Sequence, residues 1–336
     1  MINLISDTVT KPTKAMLEHM FNAVVGDDVF GEDPTINALE AKLAAMFNKK
    51  AALFCPSGTM TNQIAIKTHT QPLDELICDV SSHVYQYETG GYAFNSGVAI
   101  NLIQGSHGKI NSQQVMDAVK PSYDWLPNSK LVVLENSCNK GGGSYYTLDE
   151  INPIRETCIA HQLKLHLDGA RLFNVLVETQ EGTEAVGDLF DSISICLSKG
   201  LGAPVGSVLI GEVDFIQQAR RFRKVMGGGM RQAGYLAAAG IYALDHHVDR
   251  LAIDNEHARI LGAHLEKLSF VKSVLPVYTN IVIFEIKEES KTFVPKLKEK
   301  GIVASAFGKH HVRFVTHMDV SEDMIQETLN ILSSLE

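Results

Sequence analysis

Lys199 follows a stretch, residues 191–198, that alternates polar and apolar positions and reads as a half-buried strand. It precedes Gly200-Leu201-Gly202-Ala203-Pro204-Val205-Gly206. A lysine at the end of a buried strand, just ahead of a glycine-rich turn, stands where ligands bind in open α/β sheets. An amine withdrawn from water in such a place becomes a nucleophile toward a carbonyl. A surface lysine in a loop accounts for the same residues, and on Lys199 alone it is the simpler reading. Asp168 alters that balance. Residues 163–167 read as a strand, and Asp168-Gly169-Ala170-Arg171 stands at its end. A carboxylate there can hold a proton on the nitrogen of an aromatic ring, so that the ring draws electrons from whatever is joined to it. An aspartate capping the next helix explains Asp168 by itself. It does not explain a strand-end lysine 31 positions later, a spacing that allows one β-α-β step and returns both groups to one edge of a sheet.

A third feature suits an anion. Phe54-Cys55-Pro56-Ser57-Gly58-Thr59-Met60 runs from strand to helix. Gly58 lets the backbone approach a phosphate, Thr59 adds a hydroxyl, and the helix start adds N–H groups and a favourable dipole. A plain capped turn uses the same residue types, and the two readings stand level here. Other signatures fail. Gly200 to Gly206 has the form G-x-G-x-x-x-G, one residue longer than the dinucleotide fingerprint, and it follows a late strand. No G-x-x-x-x-G-K-[ST] loop and no H-E-x-x-H helix occurs. The 13 histidines are scattered, and His246-His247 reads as the solvated turn of a polar helix.

These groups need a frame. Short apolar runs at 51–55, 76–80, 99–103, 131–135, 163–167, 192–197 and 205–210 alternate with segments of helical period. One helix starts at Asp33-Pro34, an N-cap acid followed by proline, and Ile36, Leu39, Leu43 and Met46 mark its apolar face. The alternation predicts an α/β fold with a mostly parallel sheet between helices. Beyond residue 248 the pattern changes. A long helical stretch, 232–268, leads to a strand at 281–285, a helix near 293–300, a strand at 311–316 and a closing helix at 321–335. The expected organisation is a large domain over residues 1–248, with the N-terminal segment, and a smaller C-terminal α+β domain over residues 249–336.

The bulk numbers agree with a soluble enzyme-sized chain. It has 336 residues, 45% hydrophobic and 21% charged. A net charge of −9 leaves no basic surplus for nucleic acid. Arg220, Arg221, Arg223 and Lys224 form a local basic cluster, read as a solvated helix face that could bind a small anion. The five cysteines form no C-x-x-C pair and several sit in apolar runs, as buried free thiols in a reducing compartment do. No secretory signal is visible, and the longest apolar stretch, 233–244, is too short to span a bilayer. The expected location is the cytoplasm, away from membranes.

Five stretches together resemble the low-specificity L-threonine aldolases among the fold-type-I pyridoxal 5'-phosphate (PLP) enzymes, over essentially the whole chain. They are Ser6-Asp7-Thr8-Val9-Thr10, Gly26-Asp27-Asp28-Val29-Phe30-Gly31, Leu167-Asp168-Gly169-Ala170-Arg171, Leu197-Ser198-Lys199-Gly200-Leu201-Gly202 and Gly227-Gly228-Gly229-Met230-Arg231-Gln232. The resemblance implies Lys199 on the cofactor aldehyde, Asp168 on the pyridine nitrogen, and Gly58 and Thr59 on the phosphate. It implies His83 stacked on the ring, and Ser6, Arg171 and Arg313 around the substrate carboxylate, with Arg171 also among the cofactor contacts. Arg313 lies between Val312 and Phe314 in a predicted strand, a costly place for a guanidinium without an anion. A carboxylate held by two hydrogen bonds would offset that cost, and so would a structural salt bridge. Lys224 and Arg231 are implied at the phosphate of a neighbouring subunit, hence a homo-oligomer with shared sites, usually a dimer of dimers.

Two departures from the family pattern stand out. Similar aldolases carry a histidine shortly before the strand at 131–135, where this chain has Tyr123-Asp124-Trp125-Leu126-Pro127. The pattern Glu-Asn-Thr-His-Asn reads Glu135-Asn136-Ser137-Cys138-Asn139. Both changes remove imidazoles expected near the substrate. The implied reaction is cleavage of L-threonine or L-allo-threonine to glycine and acetaldehyde, with His83 as candidate base. A β-eliminating lyase or an amino-acid racemase would use the same carboxylate contacts. A non-catalytic protein of this fold would have no use for both Lys199 and Asp168.

Overall fold

Apolar runs five to eight residues long become strands, most of them buried on both faces, as a sheet sandwiched by helices requires, with Ala99–Ile103 at the edge only half-buried. In a computed structural model describing residues 1–335, a two-residue strand β1 (Ile2–Asn3) comes first, followed by β2 (Ala51–Cys55), β3 (Asp74–Asp79), β4 (Ala99–Ile103), β5 (Asn128–Glu135), β6 (Lys164–Gly169), β7 (Ser192–Cys196) and β8 (Ser207–Gly211). Seven of them form one sheet in the order β2-β8-β7-β6-β5-β3-β4. Only β8 runs against its neighbours β2 and β7, so the sheet is mostly parallel, as expected. Each apolar run read as a strand is one, with ends shifted by a few residues.

The helix expected from Asp33-Pro34 spans Pro34–Met46. The Asp33 carboxylate accepts from the N–H groups of Thr35 and Ile36, both at 3.1 Å, a cap worth about 1 kcal/mol. Its other oxygen accepts from Gly234 N at 2.9 Å, which ties this helix to the start of another, Gly234–His246. Ile36, Leu39 and Leu43 are fully buried, while Met46 packs at the margin of the core.

The long helical stretch read over 232–268 is two helices, Gly234–His246 and Leu251–Leu265. No glycine or proline marks the break. Its cause is tertiary: His247 is buried, and its Nδ1 bonds the carbonyl of Leu201 at 2.7 Å in the turn after Lys199. The reading of His246-His247 as a solvated turn is therefore corrected for His247.

The C-terminal part adds β9 (Val271–Val274), β10 (Ile281–Ile286), β11 (Ile302–Val303), β12 (Ser305–Ala306) and β13 (His311–Val315). An antiparallel sheet runs β12-β13-β10-β9, and β1 pairs in parallel with β11. Phe284, Phe314, Leu261 and Leu297 fill its core together with Ile2 and Leu4. The first four residues thus pack with the C-terminal part, and the chain then crosses to the large sheet through residues 5–10. No helix among the described residues is long and apolar enough to cross a membrane.

Candidate active site

Parallel pairing sets the row of polar groups. Glu135, the last residue of β5, lies opposite Asp168 of β6, and Asp168 lies opposite Ser194 of β7. Lys199 follows β7 in a tight turn, where Gly202 N donates to the Lys199 carbonyl at 2.8 Å. Gly202 holds φ at +79°, and a Cβ there would meet Met318 Sδ at 2.4 Å, so only glycine fits. The hydroxyl of Thr10 donates to the same Lys199 carbonyl at 2.9 Å. The Lys199 ammonium is half-buried and has no hydrogen-bond or ion-pair partner among the described residues.

One end of the site is acidic. Asp168 accepts from Asn62 Nδ2 at 2.8 Å and from Ala170 N at 3.2 Å, and no cationic side chain among the described residues pairs with it. Glu88 accepts from Asn62 Nδ2, Gln63 Nε2 and His83 Nδ1 at 2.9, 2.6 and 2.8 Å. Glu135 accepts from the backbone N–H groups of His83 and Asn139 at 2.8 and 2.9 Å. Burial first, and then the nearby charge of Asp168, push the Glu135 carboxyl up to about 7. Burial alone would lower the His83 imidazole, but the hydrogen bond to Glu88 and the charges of Asp168, Glu88 and Glu135 outweigh it and raise its pKa. Polar atoms of His83, Glu88 and Asp168 lie within 4.8 Å of one another. Three carboxylates around one imidazole leave this end short of positive charge, and it suits a protonated ring nitrogen. A metal ion fits less well, because the amide protons of Asn62 already stand between Glu88 and Asp168.

The other end is cationic. Arg313, on β13, donates to Asn139 Oδ1 at 2.8 Å and to the carbonyl of Ile5 at 3.1 Å, and lies 4.8 Å over the Phe307 ring. Its buried Nε has no partner, and it forms no ion pair among the described residues. Burial first, and then the charge of Arg171, lower its pKa to about 10. An unneutralised guanidinium with a spare donor has the chemistry to receive a carboxylate. Arg171 differs: its Nε and Nη2 donate to both oxygens of Asp7 at 2.7 and 2.6 Å, all of it buried. Burial opposes ionisation of Asp7, but Arg171 wins and holds that carboxyl down at about 2. Ser6 lies between Ile5, which touches Arg313, and Asp7, which holds Arg171. Its hydroxyl accepts from Thr8 N at 3.2 Å.

The phosphate cradle expected at Gly58 and Thr59 is the start of the helix Gly58–His69, with Ser57 as its cap accepting from Met60 N at 3.2 Å. Thr59 is exposed there. A Cβ on Gly58 would come within 2.6 Å of Cys196 Sγ at the end of β7, so glycine is needed to seat this helix close to Lys199. Lys224 and Arg231 are exposed, and Arg231 pairs with Asp27 at 2.7 Å over the ring of Phe30. Neither bonds Lys199, Asp168, Gly58 or Thr59 within this chain. The glycine run between them packs on Met60 beside the cradle.

Residues 3–289 match the beta-eliminating lyase family. A low-specificity L-threonine aldolase of Escherichia coli K12 is 39% identical over 329 residues, covering 97% of each chain. The chain belongs to this family. Low-specificity L-threonine aldolase 1 of Arabidopsis thaliana is 36% identical over 338 residues, with 98% of this chain and 94% of the relative covered. The threonine aldolase of Leishmania major superimposes with a TM-score of 0.86 at 23% identity, over 100% of this chain and 99% of that one. A putative L-allo-threonine aldolase of Listeria monocytogenes gives 0.83 at 22%, over 99% and 96%. At these identities the two structures show a shared fold-type-I architecture.

Several expectations change against the coordinates. Trp125 is 75% exposed and stacks on Tyr123 at 4.7 Å. Its loop enters β5 at Asn128, the end of that strand opposite Glu135 and about 23 Å from it at 3.3 Å per residue. Within its own chain Trp125 therefore does not stand beside the substrate. Cys138 is buried, and its thiol contacts the carbonyls of Glu135 and Gly108 at 3.0 and 3.4 Å, turned into the fold. The basic cluster is not a wholly solvated face. Arg223 is buried on Asp28 at 2.6 Å and the Phe54 carbonyl at 2.7 Å, and Arg220 pairs with Glu40 at 2.8 Å. Asn62, Glu88, Asp7 and His166 escaped the sequence reading as site residues. The signal for Asn62 was available: an Asn-Gln pair inside the apolar part of a helix is costly unless bonded.

Proposed function

We propose that the acidic and cationic ends of this site are the two halves of an L-threonine aldolase centre. In this reading Lys199, Asp168, His83, Gly58 and Thr59 hold PLP, and Arg313 with Ser6 and Arg171 receives the substrate carboxylate. The activity is that of a carbon-carbon lyase, cleavage of L-threonine and related β-hydroxy-α-amino acids to glycine and an aldehyde, and the cofactor is PLP. When bound, PLP supplies an aldehyde that joins an amine and a conjugated ring that takes up electrons from Cα. The observation that carries the reading is the separation of charge: an acidic pocket lacking a cation at Asp168, and an unneutralised Arg313 across the site.

Lys199 would hold PLP at its aldehyde, and Asp168 would keep the ring nitrogen protonated. Arg313 would fix the substrate carboxylate and so set the orientation of the Cα–Cβ bond that is to break. Arg171, whose charge is already paired with Asp7, would contribute its remaining nitrogen. His83 would take the β-hydroxyl proton of the substrate, directly or through one water. Lys224 and Arg231 serve the phosphate of a partner copy. The exposed apolar side chains Phe30 and Val225, 72% and 80% exposed on the same face, support a homo-oligomer. Five buried free cysteines accord with a cytoplasmic location. Quantifying both products from L-threonine tests the activity. Glycine and acetaldehyde in equal amounts are expected. A 2-oxo acid with ammonia would mark a β-eliminating lyase, and D-allo-threonine, the product of inversion at Cα alone, a racemase.

A further inference from the structure

Asn62 lies in the helix Gly58–His69 and is 2% exposed. Its single amide nitrogen bonds two acids at once, Asp168 at 2.8 Å and Glu88 at 2.9 Å. The amide nitrogen has two protons, so each carboxylate takes one. A flipped amide would turn its oxygen toward both carboxylates, which repel it. The orientation is therefore a condition for holding the two acids together.

Behind Asn62 stands a chain of three more side chains. His166 Nε2 is 3.2 Å from Asn62 Oδ1, and His166 Nδ1 is 2.8 Å from Ser192 Oγ. Ser192 Oγ is in turn 2.8 Å from His69 Nε2. Burial holds both imidazoles neutral, His166 at about 4 and His69 at about 3. A neutral imidazole has one N–H, so the roles follow by elimination. Asn62 Oδ1 can only accept, and His166 must carry its proton on Nε2. Its Nδ1 must then accept, from the one proton of Ser192. That leaves His69 Nε2 as the donor to Ser192. Every donor points the same way, from His69 to the two carboxylates, and such chains strengthen each member by roughly 10–30%.

The fold builds this chain from two regular elements. Asn62 and His69 are seven positions apart, two turns along one helix face. His166 and Ser192 are register partners in adjacent parallel strands. The helix face closes over the cross-strand pair, and the four groups meet without a loop. Glu88 Oε1 bonds both Asn62 and His83 Nδ1, so the chain reaches the imidazole as well as Asp168.

We propose that Asn62 is a positioning residue which sets Asp168 and the Glu88–His83 pair at one fixed separation, and that His166, Ser192 and His69 hold its amide in the orientation this requires. The proposal rests on the roles given above to Asp168 and His83. It assigns to four polar residues, three of them buried and His69 half-buried, none of which touches substrate, the alignment of the ring-nitrogen acid with the ring-face base.

The test reads tautomers before it reads rates. In holoenzyme labelled with 15N histidine, with signals assigned by substituting each residue in turn, His166 and His69 should both be neutral and protonated on Nε2. His166 protonated on Nδ1, or as a cation, overturns the proposal, whether or not threonine is cleaved. Failure to cleave threonine with the tautomers as stated would strike the proposed activity instead. Ser192→Ala deletes one atom and should shift the His166 Nδ1 resonance and lower kcat several-fold while KM for L-threonine holds. Asn62→Ala should lower kcat and weaken PLP binding, each roughly ten- to hundredfold, the scale of one lost hydrogen bond to a charged group. If Asn62→Ala fails to fold, the Ser192→Ala spectrum and kinetics still decide. Unchanged kcat with an unchanged His166 signal in Ser192→Ala overturns the chain.

Discussion

The residues most legible in the sequence were those placed by a strand end. Lys199 and Asp168 could be placed because a buried strand followed by glycine has few uses for a charge. Arg313 could be singled out because it interrupts an apolar strand. What the sequence could not show is which charges neutralise one another. Asp7 lies 164 positions from Arg171, and nothing local to either predicts their paired hydrogen bonds. That pairing divides the labour: Arg171 is already satisfied, and Arg313 is not. Arg313→Ala should therefore raise KM for L-threonine by roughly ten- to hundredfold, from the 1.5–3 kcal/mol of a charge-assisted contact, with PLP affinity kept. Loss of PLP with an unchanged KM would move the carboxylate site elsewhere. The same scale holds a pH prediction. If His83 accepts the substrate proton, kcat/KM falls as pH drops through its pKa, which Glu88 helps to raise. Removing that charge in Glu88→Gln should shift the acid limb of the kcat/KM profile to lower pH. A limb that stays in place would separate His83 from the base.

At the scale of elements, periodicity found the strands and the first helix because both are set by local pattern and burial. It merged Gly234–His246 with Leu251–Leu265 because the break comes from a distant partner, the Leu201 carbonyl on His247. The expected division at residue 248 falls in that same turn. We propose that it stands as the boundary between the large and small domains, except that Ile2 and Leu4 belong with the small domain's core. The Gly58 turn gives a further case. The sequence supplied a reason from anion binding, and the packing supplies a second, the 2.6 Å approach to Cys196 Sγ. Gly58→Ala should accordingly lower Tm and weaken PLP binding together, since the helix start must move from β7. Adding Cys196→Ala removes the obstructing sulfur and should recover much of the Tm. A double variant no more stable than Gly58→Ala would show that backbone approach to the phosphate, and not the sulfur, demands the glycine.

Residues 5–10, with a short 3-10 helix at Asp7–Val9, cross between the two cores of the molecule. They contact Arg313 through Ile5, Arg171 through Asp7 and the Lys199 carbonyl through Thr10, so the site is stitched where the two cores meet. Lys224 and Arg231 stand outside that seam on an exposed face with Phe30 and Val225, which is why a second copy is invoked for them. The proposal has a numerical consequence. Lys199→Ala subunits lack the nucleophile but keep Arg231, and Arg231→Ala subunits the reverse. If Arg231 serves its partner's phosphate, a mixed dimer contains one site with both residues intact and one with neither. Random pairing at equal amounts makes half the dimers mixed, so roughly a quarter of all sites should regain activity. The measurement is kcat per total subunit after unfolding and refolding the two variants together, with mixed pairing verified by a tag on one of them. Activity no higher than the average of the parents would place Arg231 in its own chain's site, and the exposed face would then need another explanation than a shared phosphate.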